Sequence, residues 1–237
     1  RIEPQVITAG GTTMMLFLDD DGTEGYNFQK LSFSIYDSKT DTWSAPEKVD
    51  SNSGAEIEFD VCTDGDSIRV VYTQSGEITD ENQEDIEGIT NSIEVLTAQY
   101  DKTTGSFTGH AVISQNDAFD LQPQILLHNG TWVAAWVSNM TGDPFAQNAN
   151  NTIYAASCTG GVWSEPVALT GLEASVTSMD LGALGSEVYV AAVRDLDCDL
   201  STSDDRVVDV ISLSGTAQRI QTPVNTNDGV QFAQVGG

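Results

Sequence analysis

The chain holds 237 residues, 39% of them apolar, with 36 acidic against 9 basic side chains and a net charge of −27. Such a surface repels phosphate backbones and anionic headgroups, so nucleic acid and acidic membrane are poor partners, while cations and basic proteins are attracted. The apolar content and regular turn signals exclude a disordered chain, and no run of about 18 apolar residues offers a membrane-spanning helix.

In chain order, the first apolar segments are PQVITAGGTTMMLFLDD from Pro4, which read as strand, glycine turn and second strand. A third strand, LSFSIYD, and a fourth, TWSAPEKV, follow. The same outline returns with FDVCTDGDSIRVVYTQ from Phe59, then IEVLTAQYD and SFTGHAVIS. It returns again with PQILLHNGTWVAAWVSN from Pro123, TIYAASC and VWSEPVALT, and once more with MDLGALGSEVYVAAVRD from Met179, VVDVISL and AQRIQTPV. No segment shows a helical period. Gln5, Asp60, Gln124, Asp180 and Gln231 then take equivalent places on successive innermost strands, at spacings of 55, 64, 56 and 51 residues.

Four antiparallel strands per unit of roughly 50 residues is the pattern of a β-propeller blade. Such a sheet has two apolar faces and buries both only when neighbouring sheets pack against it. The expectation is an all-β propeller with blades over 1–55, 56–119, 120–174 and 175–226 and the start of a fifth at 227–237. The chain opens RIEPQVITAGG and ends FAQVGG on a hairpin, so it reads as a piece of a larger propeller, completed by its own remainder or by a second copy. The aromatics Trp43, Phe107 and Trp163 open the outermost strands and are expected to wedge between blades; the other reading is sugar stacking.

The spacing from Tyr36-Asp37 to Trp43 is similar to the kelch repeat, and Tyr100-Asp101 to Phe107 keeps it. The third unit has Ala156-Ser157 before Trp163, and the kelch glycine pair after the second strand is replaced by Asp19-Asp20, Thr73-Gln74, Val137-Ser138 and Arg194-Asp195. The WSAP and WSEP strings resemble the sialidase-like propellers of secreted bacterial proteins. The Asp-box of that group does not fit, because Tyr36, Ser38 and Thr40 stand where its Ser, Asp and Gly belong. The resemblance implies a propeller and an extracellular or cell-surface setting. A sialidase-type site would also imply three clustered arginines, and the chain offers only Arg1, Arg69, Arg194, Arg206 and Arg219.

The loops joining second to third strands share one face of a propeller, and three of the four are strongly acidic. Two are candidate calcium sites. Asp195, Asp197 and Asp199 alternate as hard oxygen donors, although Leu200 and Arg206 stand where an EF-hand needs Gly and Glu. Asp19, Asp20, Asp21 and Glu24 form the other cluster, around Gly22. Solvated acidity that serves solubility is the competing reading of both. His110 and His128 stand apart from each other and from any cysteine, which disfavours zinc. Cys62, Cys158 and Cys198 read as structural. No GxSxG, HExxH or P-loop string occurs.

The polar series Gln5, Asp60, Gln124, Asp180 and Gln231 is the candidate ligand-binding lining of a central channel; the alternative is that each residue pairs with backbone at a blade edge. The sequence thus points to a binding module for protein or glycan, its acidic rim organised by calcium, with a glycan-processing enzyme as the runner-up.

Overall fold

The computed structural model describes residues 3–22, 25–140, 150–220 and 229–233. It is all-β, four antiparallel sheets set side by side as propeller blades. The first is β1 (Gln5–Ala9), β2 (Thr12–Asp20), β3 (Gln29–Asp37) and an outer edge split into β4 (Thr42–Trp43) and β5 (Glu47–Lys48). The second is β6 (Glu56–Thr63), β7 (Ile68–Gln74), β8 (Glu94–Asp101) and β9 (Ser106–Val112). In the third, β10 (Phe119–His128), β11 (Thr131–Asn139) and β12 (Asn151–Thr159) carry an edge split into β13 (Val162–Trp163) and β14 (Val167–Ala168). The fourth is β15 (Ser175–Leu184), β16 (Glu187–Asp195), β17 (Val207–Ser212) and β18 (Ala217–Ile220). The inner strands β1, β6, β10 and β15 lie against one another in that order.

The split edges explain the repeated WS-x-P strings. Pro46 and Pro166 carry no N–H and interrupt the ladder. The preceding serines repair it: Ser44 N–H donates to Ile35 O at 2.8 Å while its Oγ accepts from Ile35 N–H at 3.0 Å. Ser164 does the same with Ser157, at 2.8 and 3.1 Å. The hydroxyl supplies the acceptor that the bent strand no longer presents.

Alternation along each middle strand builds the cores. Val70 and Tyr72 of β7, with Phe107 of the same sheet, face Met14, Leu16 and Phe33 of the first, while Val71 faces the third with Trp132, Ala134 and Trp136. Ala135 and Val137 of β11 turn the other way, toward Met179, Val190 and Ile211 of the fourth sheet. Each apolar layer therefore lies between sheets.

The wedge aromatics divide. Phe107 is buried between the first two sheets, edge-on to Phe33 at 5.2 Å between ring centroids. Trp163 lies 5.9 Å from the Arg69 guanidinium of the preceding sheet. Trp43 does not wedge: it is 41% exposed and packs on Tyr36 of its own sheet. Its partner would be a preceding sheet, and the described residues hold none.

The long loop after β7 contains a helix that the sequence pattern missed, α1 (Ile86–Asn91), capped by Asp85, whose carboxylate accepts from Gly88 N–H at 3.0 Å. Six residues are too few to display a period. No helix among the described residues is long and apolar enough to cross a membrane.

Candidate functional site: the axial cavity and the acidic rim

Three of the inner strands are bulged near their beginnings: β6 between Glu56 and Phe59, β10 between Leu121 and Gln124, and β15 between Val176 and Ser178. A bulge redirects side chains and bends its strand, and such features favour site walls. Gln122 adopts a left-handed φ of 50°, and its N–H donates to Glu58 Oε2 at 2.6 Å across the blade boundary. That bond offsets the strain of a non-glycine residue in this conformation.

Where the inner strands converge lies a cavity of about 470 Å³, lined by Glu3, Glu58, Gln122, Pro123, Gln124, Met179, Asp180 and residues 229–231. Its polar groups are carboxylates and amides, and none of the described lining residues is cationic.

The recurrent polar series has a shared role in this geometry. Gln5 Nε2 donates to Phe59 O at 3.3 Å, next to Asp60. Asp60 Oδ2 accepts from Ile125 N–H at 3.0 Å, next to Gln124. Gln124 Nε2 donates to Met179 O at 2.9 Å and its Oε1 accepts from Leu181 N–H at 2.6 Å, on either side of Asp180. Asp180 Oδ2 accepts from Phe232 N–H at 2.6 Å, next to Gln231. The first four side chains of the series thus hold the backbone beside the next member. Gln124, Asp180 and Gln231 also line the cavity, whereas Gln5 and Asp60 are not among its lining residues.

The acidic rim divides in the same way. Asp19 lies half-buried near the end of β2 opposite Lys30, Asp20 Oδ1 accepts from Gly22 N–H at 2.9 Å, and Asp21 pairs with Lys48 at 2.6 Å. These three do not converge as donors, and Glu24 lies outside the described residues. The loop carrying them docks on the next blade through Asn27, which exchanges bonds with Ile78 at 2.7 and 3.0 Å.

In the β16–β17 loop, Asp195 and Asp197 do converge, and Asp205 joins them; one carboxylate oxygen from each lies within 4.8 Å of the others. Asp205 was not singled out in the sequence because a chain reversal, and no motif spacing, brings it there. Asp199 is not among them: its Oδ1 accepts from Ser201 N–H at 3.1 Å and from Ser201 Oγ at 2.6 Å.

Two carboxyls elsewhere are displaced upward by burial. Glu56 is pushed to about 7 by desolvation, against the pull of Lys30 and a Gln74 bond of 2.6 Å. Asp120 is pushed to about 6 by desolvation, opposed by its 2.5 Å bond from Ser138 Oγ. Both are closed off from solvent, at 1% and 0% exposure, so they brace sheets and meet no ligand. Among the described arginines, Arg194 and Arg219 are paired with Asp209, Arg206 with Asp195, and Arg69 lies over Trp132 at 5.3 Å. None lines the axial cavity.

No protein-family model matches the sequence, and no curated protein sequence matches it. Solved structures do match. A Hadza microbial sialidase is similar over 93% of this chain and 46% of its own, with 12% identity and a TM-score of 0.58. Trypanosoma rangeli sialidase with the inhibitor DANA gives 92% and 37%, 11% identity and 0.60. The Penicillium chrysogenum α-L-arabinanase complexed with arabinobiose gives 100% and 72%, 11% identity and 0.58. The chain spans less than half the length of these sialidases, and at such identities the likeness shows the β-propeller fold alone.

Proposed function

We propose that the chain is a glycan-recognising propeller module, secreted or on a cell surface, whose axial cavity takes a hydroxyl-rich glycan without acidic groups. The observation that carries this is the cavity lining. Carboxylates and amides from successive inner strands accept from and donate to sugar hydroxyls, and the absence of any cation among the described lining residues disfavours an anionic sugar. The fold neighbours named for sialidase and arabinanase, the latter complexed with arabinobiose, support a sugar as ligand class. Of those two, the cavity's charge favours the neutral one.

A second reading, glycoside hydrolysis, is favoured by the presence of Glu3, Glu58 and Asp180 around one cavity, since such chemistry needs two carboxylates. Titration with neutral arabino- and galacto-oligosaccharides, with sialyllactose alongside, separates these readings. Saturable binding of a neutral oligosaccharide without release of product supports the module. Turnover that is lost in Glu58→Gln supports the enzyme. Binding confined to the sialylated sugar, or absent for all, overturns the reading of the cavity.

A further inference from the structure

We propose that Asp195, Asp197 and Asp205 form a binding site for a hard divalent cation, calcium foremost, in the β16–β17 loop. The site does not depend on the axial cavity being a glycan site. Three carboxylate oxygens within 4.8 Å of one another have the separation that one ion of oxygen radius about 2.3–2.6 Å imposes on its ligands.

Acidic clusters are common on a chain of this charge, and what sets this one apart is Asp195. It is 0% exposed at the end of β16, and its Oδ1 has no hydrogen-bond partner. Asp205 Oδ1 is likewise buried without one. A carboxylate oxygen out of contact with both water and donors is costly, and a bound cation removes that cost. The remaining oxygens are already engaged. Asp195 Oδ2 accepts from Arg206 Nε at 3.0 Å, Asp205 Oδ2 from Asp197 N–H at 2.6 Å, and Asp197 Oδ1 from Asp199 N–H at 2.8 Å. The carboxylates are thereby oriented by one oxygen each, as ligands held by an outer shell are.

Charge agrees with the assignment. Three carboxylates against the one Arg206 guanidinium leave two negative charges for a divalent ion. The donor set is oxygen alone, which selects calcium or magnesium over zinc or copper, and a half-exposed loop suits calcium's flexible coordination better than magnesium's strict octahedron.

The test is calorimetric titration of the chelator-treated chain with calcium chloride at physiological ionic strength, with thermal melts in parallel. Asp197→Asn and Asp205→Asn are the site variants, and Asp199→Asn and Asp20→Asn the controls. Asp197 is exposed, so its amide variant leaves packing intact. The expected result is one saturable site in the wild type and both controls, weakened roughly tenfold or more in both site variants. A calcium-dependent rise in melting temperature should follow binding in every case. The proposal is overturned by the absence of a saturable site, by a site that both site variants retain, or by one that either control removes.

Discussion

Gln124 and Asp180 occupy equivalent places on neighbouring inner strands, and Gln124 grips the backbone on both sides of Asp180, at Met179 O (2.9 Å) and Leu181 N (2.6 Å). The amide fits because it offers one donor and one acceptor, and the strand edge presents one of each. Gln124→Ala should cost about 1–3 kcal/mol, since it leaves the buried Met179 carbonyl and the part-buried Leu181 N–H unpaired. Gln124→Glu should cost a similar amount, because it sets a carboxylate against a carbonyl. Urea denaturation measures both, and a cost below about 0.5 kcal/mol for either would show that the strands are held by other means.

Asp120 gives the fold a pH dependence. Its carboxyl is raised by burial from an ordinary 3.8 to about 6, so the folded chain holds that proton more tightly than the unfolded one. The stability it contributes is fully present below about pH 4 and is lost as the pH rises through about 6. Asp120→Asn keeps an acceptor for Ser138 and removes the titration. Its stability relative to wild type should therefore improve by about 2–3 kcal/mol between pH 4 and pH 7. Equal slopes of stability against pH for the two proteins would contradict this.

Phe107 and Trp43 share a place in the repeat and differ in surroundings. Phe107→Ala opens a cavity against Phe33 and Tyr100, and should cost about 3–5 kcal/mol. Trp43→Ala removes a ring that lies on Tyr36 in partial contact with water, and should cost less than about 1 kcal/mol. Thermal or urea melts of the two variants should separate them clearly.

Glu58 both lines the cavity and holds Gln122 in its left-handed conformation. Glu58→Gln preserves an acceptor for that amide and removes a negative charge from the wall. Binding of a neutral oligosaccharide should weaken roughly tenfold while the melting temperature changes little. An unchanged affinity would remove Glu58 from the ligand's surroundings.

The blade pattern was legible in the sequence because two independent signals agreed. Period-two alternation marked the strands, and the return of the polar series every 51 to 64 residues set their register in the ring. The partners of that series were not legible, since Gln5, Asp60, Gln124 and Asp180 bond to main-chain atoms that every residue carries. The acidic loop was half legible. Asp195 and Asp197 stood out by alternation, but alternation also pointed to Asp199, which the loop turns toward Ser201. Asp205 entered through the bond from Asp197 N–H, a contact across eight residues that no spacing rule encodes. Trp43 is exposed for another reason: a position in a repeat fixes which way a side chain faces, while burial depends on the sheet next to it, and the described residues hold none on that side.

The bonds between blades have one further consequence. Gln5, Asp60, Gln124 and Asp180 read peptide groups, so along the inner strands a blade presents the same hydrogen-bonding edge to its neighbour whatever its own side chains are. Substitutions elsewhere on an inner strand then leave these bonds untouched, provided one amide or carboxylate per blade survives. A propeller assembled on that rule keeps the register of its inner strands while much of its sequence drifts.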